Sequence, residues 1–218
     1  WGQRVLARAA LRGDEAALDI GCGTGRLLAE LGARLPRGHV AALDQSANMI
    51  AEAEKNLAPS LGERVAFRCL DVLALDDRDA YDLVFSTATF HWVLDHERLF
   101  RVIHRALRPG GRLVAQCGAE GNLERVHGIA LAFTRAEPYA PHFVDWPSQW
   151  LFAGARETAD RLTAAGFVDV VTSIQEAPTP FPTRESRLAT GVPLRLTRPP
   201  ALPADRRVLR PHHHPQSH

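Results

Sequence analysis

The stretch LDIGCGTGR at residues 18–26 limits the fold more tightly than any other part of the chain. An apolar run stops at three glycines spaced Gly-x-Gly-x-Gly, and a helix-like pattern starts directly after them. Glycine adopts backbone angles that other residues avoid, and it lets a ligand approach the main chain closely. A strand that feeds a tight glycine turn and then a helix is the opening unit of an open α/β sheet, with the ligand crevice at that junction. Such a loop could cradle the pyrophosphate of a dinucleotide, the phosphates of a nucleotide, or a ligand with no phosphate at all.

Strand-like and helix-like runs keep alternating up to about residue 177. Strands are predicted at 16–20, 39–43, 64–70, 81–86, 112–117 and 167–174, and helices at 25–34, 46–57, 95–107, 123–135 and 155–165. Ser46 and Asp95 are placed to cap their helices. Leu99, Val102, Ile103 and Leu107 recur at helical spacing and give that helix one apolar face. Near-continuous apolar strands between helices predict a doubly wound, mostly parallel α/β sheet, covered on both sides. At 218 residues the chain suits one medium domain.

A net charge of +1 gives no general attraction to nucleic acid or to a membrane surface, and no apolar run approaches the roughly 20 residues that would cross a bilayer. Cys22, Cys69 and Cys117 are odd in number and scattered, so they read as reduced thiols of a cytoplasmic protein rather than a zinc site. No signal-peptide pattern opens the chain; it begins at Trp1 without an initiator Met, so an upstream piece is expected to be missing. Lys55 is the only lysine among 26 basic residues.

The character changes at Pro178. Nine of the 15 prolines fall in the last 41 residues, and from Arg184 onward seven Arg face only Glu185 and Asp205. Such a stretch buries too little apolar surface to offset its ordering entropy. Two regions are therefore expected: a folded domain over 1–177 and an irregular Pro/Arg/His-rich tail over 178–218. His212, His213 and His214 stand between prolines with no carboxylate or Cys nearby, so no metal site is expected.

The residues around the loop narrow the ligand. A dinucleotide fingerprint reads G-x-G-x-x-G/A. Gly21 and Gly23 fit it, but Arg26 stands at the third place and the third glycine arrives early, at Gly25. No Gly-Lys-Ser/Thr follows, so the P-loop pattern fails as well. Asp19, two residues before the first glycine, would repel a pyrophosphate yet could hold an ammonium group. A cationic, amino-acid-like ligand fits better than a phosphate.

D-x-G-C-G-T-G resembles the opening signature of the class I S-adenosylmethionine-dependent methyltransferases, and further signatures follow in that family's order. ALDQSANMI at 42–50 resembles the second, CLDVLAL at 69–75 the third, YDLVFSTATFHWV at 81–93 the fourth strand and its loop, and LRPGGRLV at 107–114 the turn into strand five. STATFHWVLDHERLF and AQCGAEGNLERV look most like the trans-aconitate methyltransferase type, with malonyl-carrier methyl-ester formation nearby. The resemblance implies S-adenosylmethionine as cofactor, held by Asp19, Gly21, Cys22, Gly23 and Gly25. It implies that Asp44, with Gln45 beside it, takes the ribose hydroxyls, and that Asp71, with Val72, reads the adenine. Met49 would flank the adenine ring or pack in the core, Ser86 would be a further cofactor-binding residue, and Cys22 serves as a small filler. Phe90, His91 and Trp92 would line a pocket for a small-molecule acceptor, most simply a carboxylic acid. A carboxylate is already ionised near neutral pH and needs no general base. Other acceptors would need one, and only His91 and His127 are placed for that role.

The chain departs from the family at its end. The family's fold closes with a seventh, antiparallel strand between strands five and six. Residues 192–197 alternate weakly, but Pro193 would remove a ladder donor from an interior strand. The seventh strand is therefore expected to be missing or irregular. The alternative to an active methyltransferase is a relative that binds the cofactor but has an impaired acceptor half.

Overall fold

The computed structural model describes residues 2–144 and 149–176. Its centre is a sheet of five parallel strands, β1 (Ala16–Ile20), β2 (His39–Asp44), β3 (Val65–Cys69), β4 (Tyr81–Thr87) and β5 (Leu107–Gln116), in the order β3-β2-β1-β4-β5. Six helices accompany it: α1 (Gly2–Arg8), α2 (Arg26–Ala33), α3 (Ala47–Leu61), α4 (His96–Ala106), α5 (Glu124–Thr134) and α6 (Ala155–Ala164).

The strands alternate strictly between two cores. Ala17, Val40, Ala42, Leu83 and Phe85 join one cluster with Leu28 and Leu31 of α2 and Leu57 of α3. Leu18, Ile20, Ala41, Leu43 and Val84 join the other with Leu99, Phe100 and Ile103 of α4. Burial on both faces is why these strands read as unbroken apolar runs. Ser46 accepts from the Met49 amide and Asp95 from the Arg98 amide, so both expected caps form.

The chain first builds outward from β1 through β2 to β3, and then returns to place β4 on the other side of β1. This reversal opens a crevice above the carboxyl ends of β1 and β4. At the opposite end of β1, Glu15 is fully buried and accepts from the amides of Arg12 and Gly13 and from Arg112 Nη2, at 2.8–2.9 Å. Burial would raise its pKa, but these three donors overcome that and hold it at about 2. The group's contribution to stability is therefore complete above the ordinary carboxyl range and is lost as pH falls toward 2. We expect Glu15→Ala, which leaves two amides unpaired and removes one partner of the half-buried Arg112 guanidinium, to cost about 2 kcal/mol in urea unfolding at pH 7. The loss should shrink as the pH is lowered toward 2.

Three differences from the sequence reading stand out. Helix α1 was not expected; its local apolar signal is short, and it is held by burial of Val5 and Leu6 and by Arg112, which donates to the Ala9 and Ala10 carbonyls just beyond it. Strand β5 begins earlier than expected: Leu107 pairs with Tyr81 and Arg112 with Leu83, so residues 108–111 bulge from the ladder, with Gly110 at φ +78°. The strand expected at 167–174 does not form. Val168 and Val171 are 82% and 92% exposed, and among the described residues nothing pairs with the outer edge of β5. A strand needs a neighbour to satisfy its ladder, and here Phe167 instead packs edge-on against His104 of α4. The expectations for 192–197 and for the tail lie outside the described residues.

Candidate active site

The glycine loop closes on the end of β2. Gly21 and Cys22 both donate to the Leu43 carbonyl, at 2.7 and 3.1 Å, and Gly23 donates to Asp44 Oδ2 at 3.1 Å. Asp44 Oδ1 accepts from the Ser46 amide at 2.9 Å, so one carboxylate ties two loops together. Gly21, Gly23 and Gly25 all lie at positive φ, but space restricts only two of them. A Cβ on Gly21 would fall on the Thr89 side chain, and one on Gly25 would meet Leu57 Cδ1 at 2.6 Å. Above Gly23 there is open space, where a ligand can come against the main chain.

Asp19, Gly21, Cys22, Thr24, Arg26, Leu27 and Thr87 line a cleft of about 140 Å³ in this crevice. Asp19 is 3% exposed and receives no hydrogen bond from any described residue. Burial, and then the nearby Asp44 carboxylate, push its pKa up to about 7. A buried carboxyl with no donor is costly unless something binds it. The same pair of carboxylates makes the loop hostile to phosphate. Cys22 is buried in the core beneath the loop, and burial raises its thiol to about 12, so it is an inert filler.

Further along the same sheet edge, Leu70 donates to the Asp44 carbonyl, which brings Asp71 and Val72 close to the end of β2. Asp71 is exposed; its Oδ1 caps the short turn Val72–Ala74 through the Leu73 amide, leaving Oδ2 without a partner among the described residues, and Val72 itself is buried. Gln45 is exposed, and Met49 is 42% exposed on the first turn of α3, so Met49 is not a core residue. Ser86 is buried, and its hydroxyl donates to the Ile20 carbonyl at 2.8 Å, which makes it a tie between strands rather than a ligand group.

The aromatic trio after β4 divides. Phe90 is buried, edge-on to Phe100 at 6.1 Å, and belongs to the core instead of a pocket wall. The trio forms a single turn, Phe90–Trp92, whose first side chain points inward while His91 and Trp92 remain half-buried. These two meet Phe152 and Trp150, with His127 of α5 stacked on Trp150 at 4.7 Å. His91 Nδ1 accepts from the Gly118 amide at 3.1 Å, which leaves Nε2 to carry the proton. Burial, and then neighbouring His96, lower the His91 pKa to about 4. Around neutral pH this ring is thus a neutral donor, not a base.

Thr24, Arg26, Leu27, Thr87, Trp150 and Phe152 were not among the site residues expected from the sequence. Arg26 carried a signal, as the residue that breaks the dinucleotide pattern. The others meet only through the tertiary fold.

Residues 17–111 match the family model described as a methyltransferase domain. Among curated relatives, an uncharacterized methyltransferase of Schizosaccharomyces pombe is 31% identical over 75% of this chain and 63% of its own length. A trans-aconitate 2-methyltransferase of Methylobacterium nodulans is 37% identical over 74% and 61%, and a malonyl-[acyl-carrier protein] O-methyltransferase of Priestia megaterium 33% over 51% and 40%. The chain thus spans less than two thirds of each of these relatives. Among solved structures, Haemonchus contortus phosphoethanolamine N-methyltransferase 2 in complex with S-adenosyl-L-methionine shares the fold at TM-score 0.61, with 24% identity over 77% of this chain and 36% of that one.

Proposed function

This chain belongs to the class I S-adenosylmethionine-dependent methyltransferases, and from that premise we propose that it transfers the cofactor's methyl group to an oxygen of a small carboxylic acid. The observation that carries the cofactor half of this reading is Asp19, a buried carboxyl with no internal partner that lines the cleft. The residues fit the cofactor: Asp19 offers a seat for an ammonium, and Gly23 leaves its main chain open. Asp44 receives two amide bonds and retains lone pairs for ribose hydroxyls, since a carboxylate accepts about four. Asp71 keeps Oδ2 for an amino group such as that of adenine, and Met49 lies free to cover a ring.

When bound, S-adenosylmethionine supplies a sulfonium methyl group that is already strongly electrophilic. The protein's part is to orient the partners and exclude water, the kind of contribution that can reach several kcal/mol. His91, held with Nε2–H as a donor, can fix an acceptor oxygen, and Trp92 with Phe152 can shield the site. His91, the candidate base next to β4, does not favour acceptors that must lose a proton, because its Nδ1 lone pair is engaged. A carboxylate needs no base. The trans-aconitate and malonyl relatives, both named for such acceptors, support the same choice.

Transfer of a labelled methyl group from the cofactor to a panel of mono-, di- and tricarboxylic acids, amines and phenols tests this. Label should appear in a carboxylic ester; methylation confined to amines or phenols would refute the acceptor class. A second reading, a relative that binds the cofactor but lacks a working acceptor pocket, draws support from α5. None of its residues is buried, and Val126, Ile129, Leu131 and Phe133 are exposed. Tight S-adenosylhomocysteine binding with no label in any acceptor would favour it. As a check on the ribose position, Asp44→Ala should weaken S-adenosylhomocysteine binding about ten- to a hundredfold by calorimetry. Unchanged affinity would remove Asp44 from that role.

A further inference from the structure

His96 is the first residue of α4; it is 3% exposed and packs against Phe100. Its Nε2 lies 2.9 Å from the Phe90 carbonyl. A carbonyl only accepts, so Nε2 carries the proton, and Nδ1 is left buried without a partner. A buried polar atom with nothing bonded to it costs stability, and a phenyl ring would fill this space without that cost. What the imidazole adds is the bond to Phe90.

That bond falls on the turn that carries His91. The Phe90 carbonyl accepts also from the Val93 amide, and the His91 carbonyl from the Leu151 amide, both at 2.9 Å. The His91 ring is held by the Gly118 amide on Nδ1. Just upstream, Ala88 stands at φ +56°, unfavourable for a residue with a Cβ, and its amide donates to the Gln116 carbonyl at 2.7 Å. Such strain persists only where the surroundings over-determine the backbone. The turn is thus pinned from several sides, and Nε2–H is the one polar group of the His91 ring left for a ligand.

We propose that His96 is a positioning residue for the acceptor: bonded to the Phe90 carbonyl from the buried side, it fixes the turn so that His91 Nε2–H meets the acceptor oxygen at one place. This rests on the acceptor reading above and extends it to a buried residue that touches no substrate. Methyl transfer is sensitive to such placement, since an error of about 1 Å can cost about a hundredfold.

Three variants of the full chain separate this role from packing. His96→Phe keeps a ring against Phe100 and loses the donor. His96→Asn keeps an amide that is too short to reach Phe90, and His96→Gln places an amide donor where Nε2 stood. The Asn and Gln variants decide the matter by themselves if the Phe variant does not fold. Heteronuclear NMR spectra of the His91 ring should show the fixed Nε2–H tautomer in the parent and in His96→Gln. The other two should show a mixture of tautomers, because the turn shifts and the Gly118 bond weakens. For the carboxylic acid that takes most label, kcat/KM should fall about ten- to a hundredfold in His96→Phe and His96→Asn, and His96→Gln should restore most of it. S-adenosylhomocysteine affinity should change less than about twofold in all three. An unchanged His91 spectrum in the Phe and Asn variants, or equal losses of turnover in all three, would overturn the role of His96 and leave the acceptor reading standing. Label in no carboxylic acid would overturn the acceptor reading, and the spectra alone would then decide whether His96 positions His91.

Discussion

Asp19→Asn should reduce affinity for S-adenosylhomocysteine at pH 8 by on the order of a hundredfold, because it removes one half of a buried ion pair, a loss of ~3 kcal/mol. The same substitution should alter the pH profile. In the free protein the Asp19 carboxyl, raised to about 7 by burial and by Asp44, must lose its proton to hold an ammonium. Affinity of the unaltered chain should therefore be level above pH 7 and fall by about tenfold per unit below it, and the variant should show no such slope. Stability should move the other way. A carboxyl whose folded pKa is raised favours the fold most at low pH, and that support is lost as pH rises through about 7. Asp19→Asn should thus melt at a higher temperature than the parent at pH 8 while binding far less ligand. Loss of binding with a lower melting temperature would mean that the residue is structural.

Gly21→Ala should be the most disruptive single-methyl change in the loop. At φ +75° an L residue is strained by about 1–3 kcal/mol. The added methyl would also overlap Thr89, which sits over the loop, and overpacking of this kind costs about 1–3 kcal/mol more. Because the β4–α4 loop must then shift, cofactor binding should fall together with stability. Gly62→Ala supplies the comparison: its φ is +54°, but nothing lies within 4 Å of the added Cβ. It should show backbone strain alone, about 1–3 kcal/mol, with binding unchanged. Combining Gly21→Ala with Thr89→Gly should recover part of the loss, as urea unfolding of the four proteins would measure. If the Gly21 and Gly62 variants are equally stable, contact with Thr89 is not what holds the loop.

Much of the sheet was readable because its signals are local. β1, β2 and β4 are apolar runs closed by polar or glycine residues, and Ser46 and Asp95 cap helices from their own neighbourhood. What could not be read depends on partners distant in sequence. Helix α1 is held by Arg112, about a hundred positions away. Residues 167–174 carry strand-like valines, yet no neighbouring strand receives them among the described residues. In the candidate site, Asp19 and Asp44 could be named because each closes a strand at the crevice. Phe90 was misplaced because FHW gives no sign of which ring turns inward, and Ser86 because its acceptor is the Ile20 carbonyl on another strand. Trp150 and Phe152 are brought to the Phe90–Trp92 turn by the Leu151 amide, which donates to the His91 carbonyl, and by ring contacts of Phe152 with His91 and of Trp150 with Trp92.

The central claim is that this glycine loop, with two carboxylates at its lip, accepts a positively charged amino-acid group and turns phosphate away. Parallel calorimetric titrations of the full chain at pH 8 with S-adenosylhomocysteine and with NAD test it most directly. The account predicts saturable binding of S-adenosylhomocysteine at one site and no measurable heat with NAD. Saturable binding of NAD with none of S-adenosylhomocysteine would contradict it.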